Sequence, residues 1–274
     1  MAYENFKPTI WSKTIELELA PLMIFRDVVN TKYKGLVGKG KTVKILNLAN
    51  PTIKDYVPGE DIDAPETPND DSIELKIDQY KYFNVTVDDV DDAQADVDTM
   101  KALCKGGATG LAAKADAYIA AQVVNCHEDN LIASTAVTTE KQAKAIIDDM
   151  FELLWNKGVN TANGNVYITV SPWFYKLFKN SLTELLTNNV EMVKKGILGT
   201  YNGAYVKMSN QIFNDGTDDH ISVMTKDAIA FADGIEETEA YRPDKAFADA
   251  VKSLYTYGAK VARPEQIATA KVHK

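Results

Sequence analysis

Residues Gly35 to Thr42 (GLVGKGKT) fit the spacing G-x4-G-K-T, in which backbone amides and a lysine cradle phosphate. That chemistry needs a strand before the loop and a helix after it, so that the amides and the helix N-terminus face the anion. Here Lys32, Tyr33 and Lys34 precede the motif and a β-branched, alternating stretch follows it. The reading is a glycine-lysine turn, and nucleotide binding is rejected. The three histidines, His127, His220 and His273, have no metal-ligand spacing. Cys126 and His127 are neighbours on a predicted helix and so point in different directions, which does not suit a nucleophile and its base. The acid run Asp88 to Asp98 fails the calcium-loop pattern, because Ala93 stands at a ligand position and no glycine makes the turn. Nothing selects an acid pair for hydrolysis. The sequence shows no catalytic, cofactor or metal site, and the expectation is a protein that is not an enzyme.

The elements around these residues say more. Apolar or small residues recur at Val90, Ala93, Val97, Met100, Cys104, Gly107 and Leu111, which is helical spacing, and the aspartates before them suit a helix start. An alanine-rich run continues to Val124, predicting one helix from about 88 to 131, about 60 Å long. A compact domain of this size is about 40 Å across, so such a helix belongs to an elongated subunit with neighbours along it. Gly106, Gly107 and Gly110 interrupt it, as a hinge or as sites of close packing. Before it, Lys41 to Leu48 and Ile73 to Val87 read as two strands joined through a proline-rich tip, a long two-stranded arm. An isolated hairpin is marginal in water, so the arm must lie on something.

Upstream, Ser12 to Asn30 reads as a broken helix restarted at Pro21. Downstream, Thr139 and Gln142 make a capping box for a helix that buries Ala143, Ile146, Ile147, Met150, Leu153 and Leu154 and ends at Gly158. Strands at 165–170, 204–209, 221–224 and 228–232, a helix from Pro172 and a short helix over 188–195 follow. A hairpin from 235–241 to 247–261 and a final strand after Pro264 close the chain. Helices and strands mix without a βαβα rhythm, so the class is α+β.

Composition is that of a folded soluble protein of 274 residues, 45% hydrophobic and 25% charged, without a membrane-span-length apolar run or a signal-peptide core at its start. Cys104 and Cys126, about 33 Å apart on one helix, could not pair, which suits a reducing cytoplasm. The net charge of −9 argues against a strong nucleic-acid binder. The charge is also segregated. Lys32, Lys34, Lys39, Lys41 and Lys44 share a stretch without acids, and Asp55, Glu60, Asp61, Asp63, Glu66, Asp70 and Asp71 share one without bases. Complementary blocks around two predicted strands suit contacts between copies, so these residues are the candidate inter-subunit contacts.

A broken N-terminal helix, a two-stranded arm, a long helix, a mixed core and a late hairpin, in that order, resemble the major capsid protein of tailed bacteriophages, the Hong Kong 97-type fold. Residues 199–210 (GTYNGAYVKMSN) are similar to the glycine-turn-strand passage of its axial domain. Residues 257–267 (YGAKVARPEQI) are similar to the closing strand of its peripheral domain. The resemblance implies an N-terminal arm at 1–34, an extended loop at 35–87, and a peripheral domain at 88–165 and 235–262 that contains the spine helix. It implies an axial domain at 166–234 and 263–274. It further implies a shell of hexamers and pentamers around double-stranded DNA, made in the host cytoplasm and ending in the virion. A separate scaffolding protein, a portal, a decoration protein, non-covalent assembly and no maturation cleavage go with it. An encapsulin-like compartment of the same fold is the alternative.

Overall fold

The computed structural model describes residues 23–33, 42–48, 53, 55, 56, 59, 61, 70–88, 99–161, 165–183, 200–244 and 247–274. Among these, eleven strands and three α-helices form three sheets: a two-stranded arm, a three-stranded sheet and a six-stranded sheet.

The arm pairs β1 (Thr42–Leu48) with β2 (Asp70–Lys76), antiparallel, seven residues each. It is shorter than its sequence suggests. β3 (Gln79–Asp88) leaves the arm and pairs with β10 (Ala248–Val261), which also pairs with β9 (Ile229–Tyr241). One alternating run of apolar residues therefore serves two sheets, divided at Ile77 and Asp78. Gly258 of β10 sits where the chain crosses: a Cβ there would run into the Lys76 carbonyl oxygen and lie 3.1 Å from the Ile77 Cα. The expected hairpin 235–261 is present and longer, because 229–232 continues directly into β9.

Helix α1 (Thr99–Ala121) has 23 described residues, about 34 Å, and ends ten residues before the expected end at 131. Residues 89–98 lie outside the described residues. At its C-terminal end the helix tightens into a 3-10 turn over Gln122–Asn125, and Cys126 adopts an extended backbone. Cys126 is therefore off the helix; neither cysteine forms a disulfide. The alanine run favours helix, but the polar Asn125, His127 and Asn130 then turn the chain, and Leu131–Ala136 becomes strand β4. The buried stripe of α1 (Cys104, Ala108, Leu111, Ala112, Ala115, Ile119, Ala120) consists mostly of small residues. They let the helix lie close on Phe83, Val85, Val87 and Val251 of the three-stranded sheet and on Tyr255 and Tyr257 of β10.

The six-stranded sheet runs β4-β11-β8-β5-β7-β6. Its strands are β4, β5 (Val166–Val170), β6 (Thr200–Tyr201), β7 (Ala204–Met208), β8 (Asp219–Thr225) and β11 (Ile267–His273). Helix α2 (Glu140–Asn156) carries the capping box, with Gln142 N donating to the Thr139 hydroxyl and Thr139 N donating to Gln142 Oε1. Gly158, at φ +75°, follows the helix end. The buried face of α2 holds Phe151 where Leu153 was expected; Leu153 is half-buried. With α3 (Pro172–Thr183), it packs on this sheet through Ile147, Phe151, Phe174 and Phe178. β4 and α2 thus join the six-stranded sheet instead of the region around α1. The helix expected over 188–195 lies outside the described residues.

Candidate functional site

The described residues offer anchors and surfaces. The first anchor is the segment 23–30, which contains a 3-10 turn (Phe25–Val28) and buries Met23, Phe25, Val28 and Val29. Ile24 N and Phe25 N donate to the Asp116 carboxylate of α1 at 2.7 and 3.2 Å. Burial pushes the Asp116 carboxyl up to about 6, against the two backbone donors that favour its charge; nearby Asp27 raises it further. Arg26 lies 3.3 Å from Asp233 of β9, and the Tyr255 hydroxyl donates to the same carboxylate oxygen at 2.8 Å. Asn30 bridges β9 through Asn30 N to Ile229 O and Phe231 N to Asn30 O, both 2.9 Å. Asp27 reaches Lys207 of β7 at 3.6 Å. One short segment therefore fastens helix α1, the three-stranded sheet and the six-stranded sheet together.

Asp116 and Asp233 were not singled out from sequence, yet a signal exists. Asp116 falls on the stripe of Ala112, Ala115 and Ile119, where a charge needs a buried partner. Asp233 likewise follows the apolar run 228–232.

The predicted contact residues are only partly described. Lys34, Lys39, Lys41, Glu60, Asp63 and Glu66 lie outside the described residues. Lys32, Lys44, Asp55 and Asp61 are exposed. Asp70 and Asp71 stand opposite Leu48 and Asn47 at the outer end of the arm. Thr42 opens strand β1, which is the structural reason the glycine-lysine motif fails as a phosphate loop. The three glycines of α1 separate. A Cβ on Gly107 would lie 2.9 Å from two ring carbons of Phe83, whereas Cβ atoms on Gly106 and Gly110 would meet nothing within 4 Å.

One cluster has the composition of a hydrolase triad. Ser134, Asp218 and His273 meet where β4, β8 and β11 end. His273 Nδ1 is 2.8 Å from Asp218 Oδ1; the Ser134 hydroxyl donates to that same oxygen at 2.9 Å and lies 3.3 Å from Nδ1. A proton relay needs the hydroxyl on the opposite imidazole nitrogen from the carboxylate. Here both share Nδ1, so the cluster ties strand ends together. Beside it, the backbone amides of Asp218 and Thr217 and then His220 hold the Asp215 carboxyl well below the usual range and fix the turn into β8. Among the described residues no group of three or more His, Cys, Asp or Glu could hold a metal ion, and no helix is long and apolar enough to cross a membrane.

No family model and no curated protein matches the chain. Solved structures do. The chain is 26% identical to a chain of Mycobacterium phage Che8, covering 90% of each with a TM-score of 0.71. It is 16% identical to the capsid structure of cyanophage P-SCSP1u, over 92% of this chain and 88% of that one, with a TM-score of 0.68. It is 11% identical to a virus-like particle from Pyrococcus furiosus, over 97% and 99%, with a TM-score of 0.58. The fold is that of the tailed-phage capsid proteins, the Hong Kong 97 type.

Proposed function

We propose that this chain is the major capsid protein of a tailed bacteriophage, many copies of which close an icosahedral shell around double-stranded DNA. The observation that supports it most is the likeness to phage structures along nine-tenths of the chain, including 26% identity with one of them. The role is structural and non-enzymatic, the location is the virion, and the subunit is made in the host cytoplasm.

Several finer parts belong to the same proposal. Copies group as hexamers and pentamers, a scaffolding protein and a portal act during assembly, and a decoration protein can bind the finished shell. The three-stranded sheet with α1 is the peripheral domain and the six-stranded sheet with α2 and α3 the axial domain. Residues 1–34 form the N-terminal arm and 35–87 the extended loop. The acidic tip and the basic stretch meet between copies. Gly106 and Gly110 let the spine helix bend during assembly, and Gly107 leaves room for Phe83. A net charge of −9 suits a wall that encloses DNA without gripping it.

The full-length likeness to the Pyrococcus furiosus particle supports a second reading, an encapsulin-like compartment with protein cargo. Electron microscopy of the purified protein with its natural contents separates the two. Shells containing DNA are expected; shells containing protein favour the compartment, and a chain that forms no shells contradicts both.

A further inference from the structure

Beside the arm root, a cleft of about 220 Å³ opens between residues 30–33, Ile45 and Ile73 of the arm, and the corner Ala262–Arg263. One water needs about 10–15 Å³ of such space, so the cleft admits a larger solute. Its open lining is mostly polar, and it contains two cations, Lys32 and Arg263. Both are exposed, and among the described residues neither side chain has an ion pair or hydrogen bond. The acid of the lining, Asp227, accepts from the Asn30 side chain at 2.8 Å and pairs with neither cation. The cleft is therefore net positive on a chain whose net charge is −9.

The backbone that carries the two cations is fixed before any ligand arrives. Ala262 N and Arg263 N both donate to Ala228 O, at 2.8 and 3.1 Å. Asn30 N donates to Ile229 O, and Phe231 N donates to Asn30 O. The Asn30 side chain then holds its neighbours, its Oδ1 accepting from Lys32 N at 3.1 Å while its Nδ2 serves Asp227. One short stretch, residues 227–231, thus holds both cation-bearing segments to the same cleft.

We propose that this cleft binds a phosphate group through Arg263 and Lys32. The planar guanidinium of Arg263 can give two parallel hydrogen bonds to two phosphate oxygens, and the compact ammonium of Lys32 can take a third. A carboxylate has only two oxygens, which the guanidinium alone would occupy. A phosphodiester of enclosed DNA and free inorganic phosphate present the same chemistry. Only the DNA source rests on the shell reading; the site itself does not. One contact of this kind per copy is weak and blind to base sequence, which suits a wall that touches the DNA backbone without gripping it.

The experiment uses the full-length chain as dissociated subunits in three forms: wild type, Lys32→Gln with Arg263→Gln, and Asp227→Asn. All three positions are exposed, and circular dichroism verifies that the subunits fold. Sodium phosphate is titrated at constant ionic strength while the amide resonances of residues 30–33 and 262–263 are followed, and a short DNA duplex is titrated in parallel at several salt concentrations. Wild type is expected to saturate with phosphate at a dissociation constant on the order of 1 mM, and the double variant to bind about tenfold or more weakly. Asp227→Asn keeps an acceptor for Asn30 but loses the repelling charge, so it is expected to bind about threefold more tightly. Duplex affinity that falls in the double variant, with a salt slope smaller by about 1, identifies DNA as the source. Saturation by phosphate without such a change for the duplex identifies the free ion. No saturable response to either probe, equal affinities in all three proteins, or a double variant that alters only the concentration needed for assembly would overturn the inference. A wild-type chain that binds phosphate but forms no shells contradicts the shell reading and leaves the phosphate site standing.

Discussion

The two strands of the arm match two strands of the six-stranded sheet in length: β1, β2, β8 and β11 each have seven residues. The two regions bury them differently. In β8 and β11, Ile221, Val223, Met224, Ile267, Ala268, Ala270 and Val272 are all at 0% exposure, beneath α2 and α3 and against the neighbouring region. In the arm, Val43, Ile45, Leu75 and Ile77 pack against Ala230 and Ala232 of β9, while Thr42, Lys44, Ser72, Glu74 and Lys76 of the opposite face are exposed. An antiparallel pair with one solvated face is marginal by itself, whereas a sheet covered by two helices is not. Among the described residues, the core of the six-stranded region is buried within one chain. The arm packs one face on β9 and exposes the other, and in the proposed shell a neighbouring copy covers what it exposes.

The root is where this contrast breaks most easily. Gly258 lets β10 pass under the Lys76 carbonyl, and backbone cannot retreat as a flexible side chain can. Gly258→Ala is expected to destabilise the subunit by about 3 kcal/mol or more, with loss of arm docking, as measured by denaturant unfolding. An unchanged midpoint would remove this crossing from the account.

The next effect is a pH dependence at the N-terminal anchor. The carboxyl of Asp116 goes from 3.8 to about 6 on folding, chiefly through burial. A raised folded-state value means that the folded protein binds the proton more readily. Its stabilising contribution is full below about 3.8 and is lost as pH rises through about 6. Between pH 7 and 4.5, wild type should therefore gain on the order of 2 kcal/mol relative to Asp116→Asn, which has no such titration. Parallel melting curves of the two proteins over that range would contradict the assignment.

Smaller effects divide the glycines of α1. Gly107→Ala drives a Cβ against the root of the Phe83 ring and is expected to lose about 1–2 kcal/mol, with the helix propensity gained offsetting part of the clash. Gly106→Ala and Gly110→Ala meet no neighbour and should each stabilise the subunit by up to about 1 kcal/mol. If these two supply a bend, their alanine variants melt higher but shift the balance of particle diameters seen by microscopy. Higher melting with unchanged diameters would leave them as plain surface glycines.

Local chemistry made some of this legible in the sequence. Thr139 with Gln142, Gly158 and the Asn202-Gly203 turn, whose φ values are both positive, act through neighbours within a few residues. Where two elements compete for the same residues, pattern alone did not decide. Ile73 to Val87 alternates without interruption, but the crossing at Gly258 sends its second half to a strand more than 160 residues later. Leu131–Ala136 follows an alanine-rich helix, and its parallel pairing with β11 is not a local property. The acidic and basic blocks were visible from composition, whereas the approach of Arg263 to Lys32 beside the arm root, made by the turn after β10, was not.

The central claim is that one region is finished within the chain and the other between chains. Amide hydrogen exchange of dissociated subunits and of assembled particles tests it directly. In dissociated subunits, β5, β8 and β11 should already exchange slowly while 42–48 and 70–76 exchange fast; assembly should slow the arm by at least about a hundredfold and leave the six-stranded sheet nearly unchanged. An arm equally protected in dissociated subunits and in particles would contradict the account.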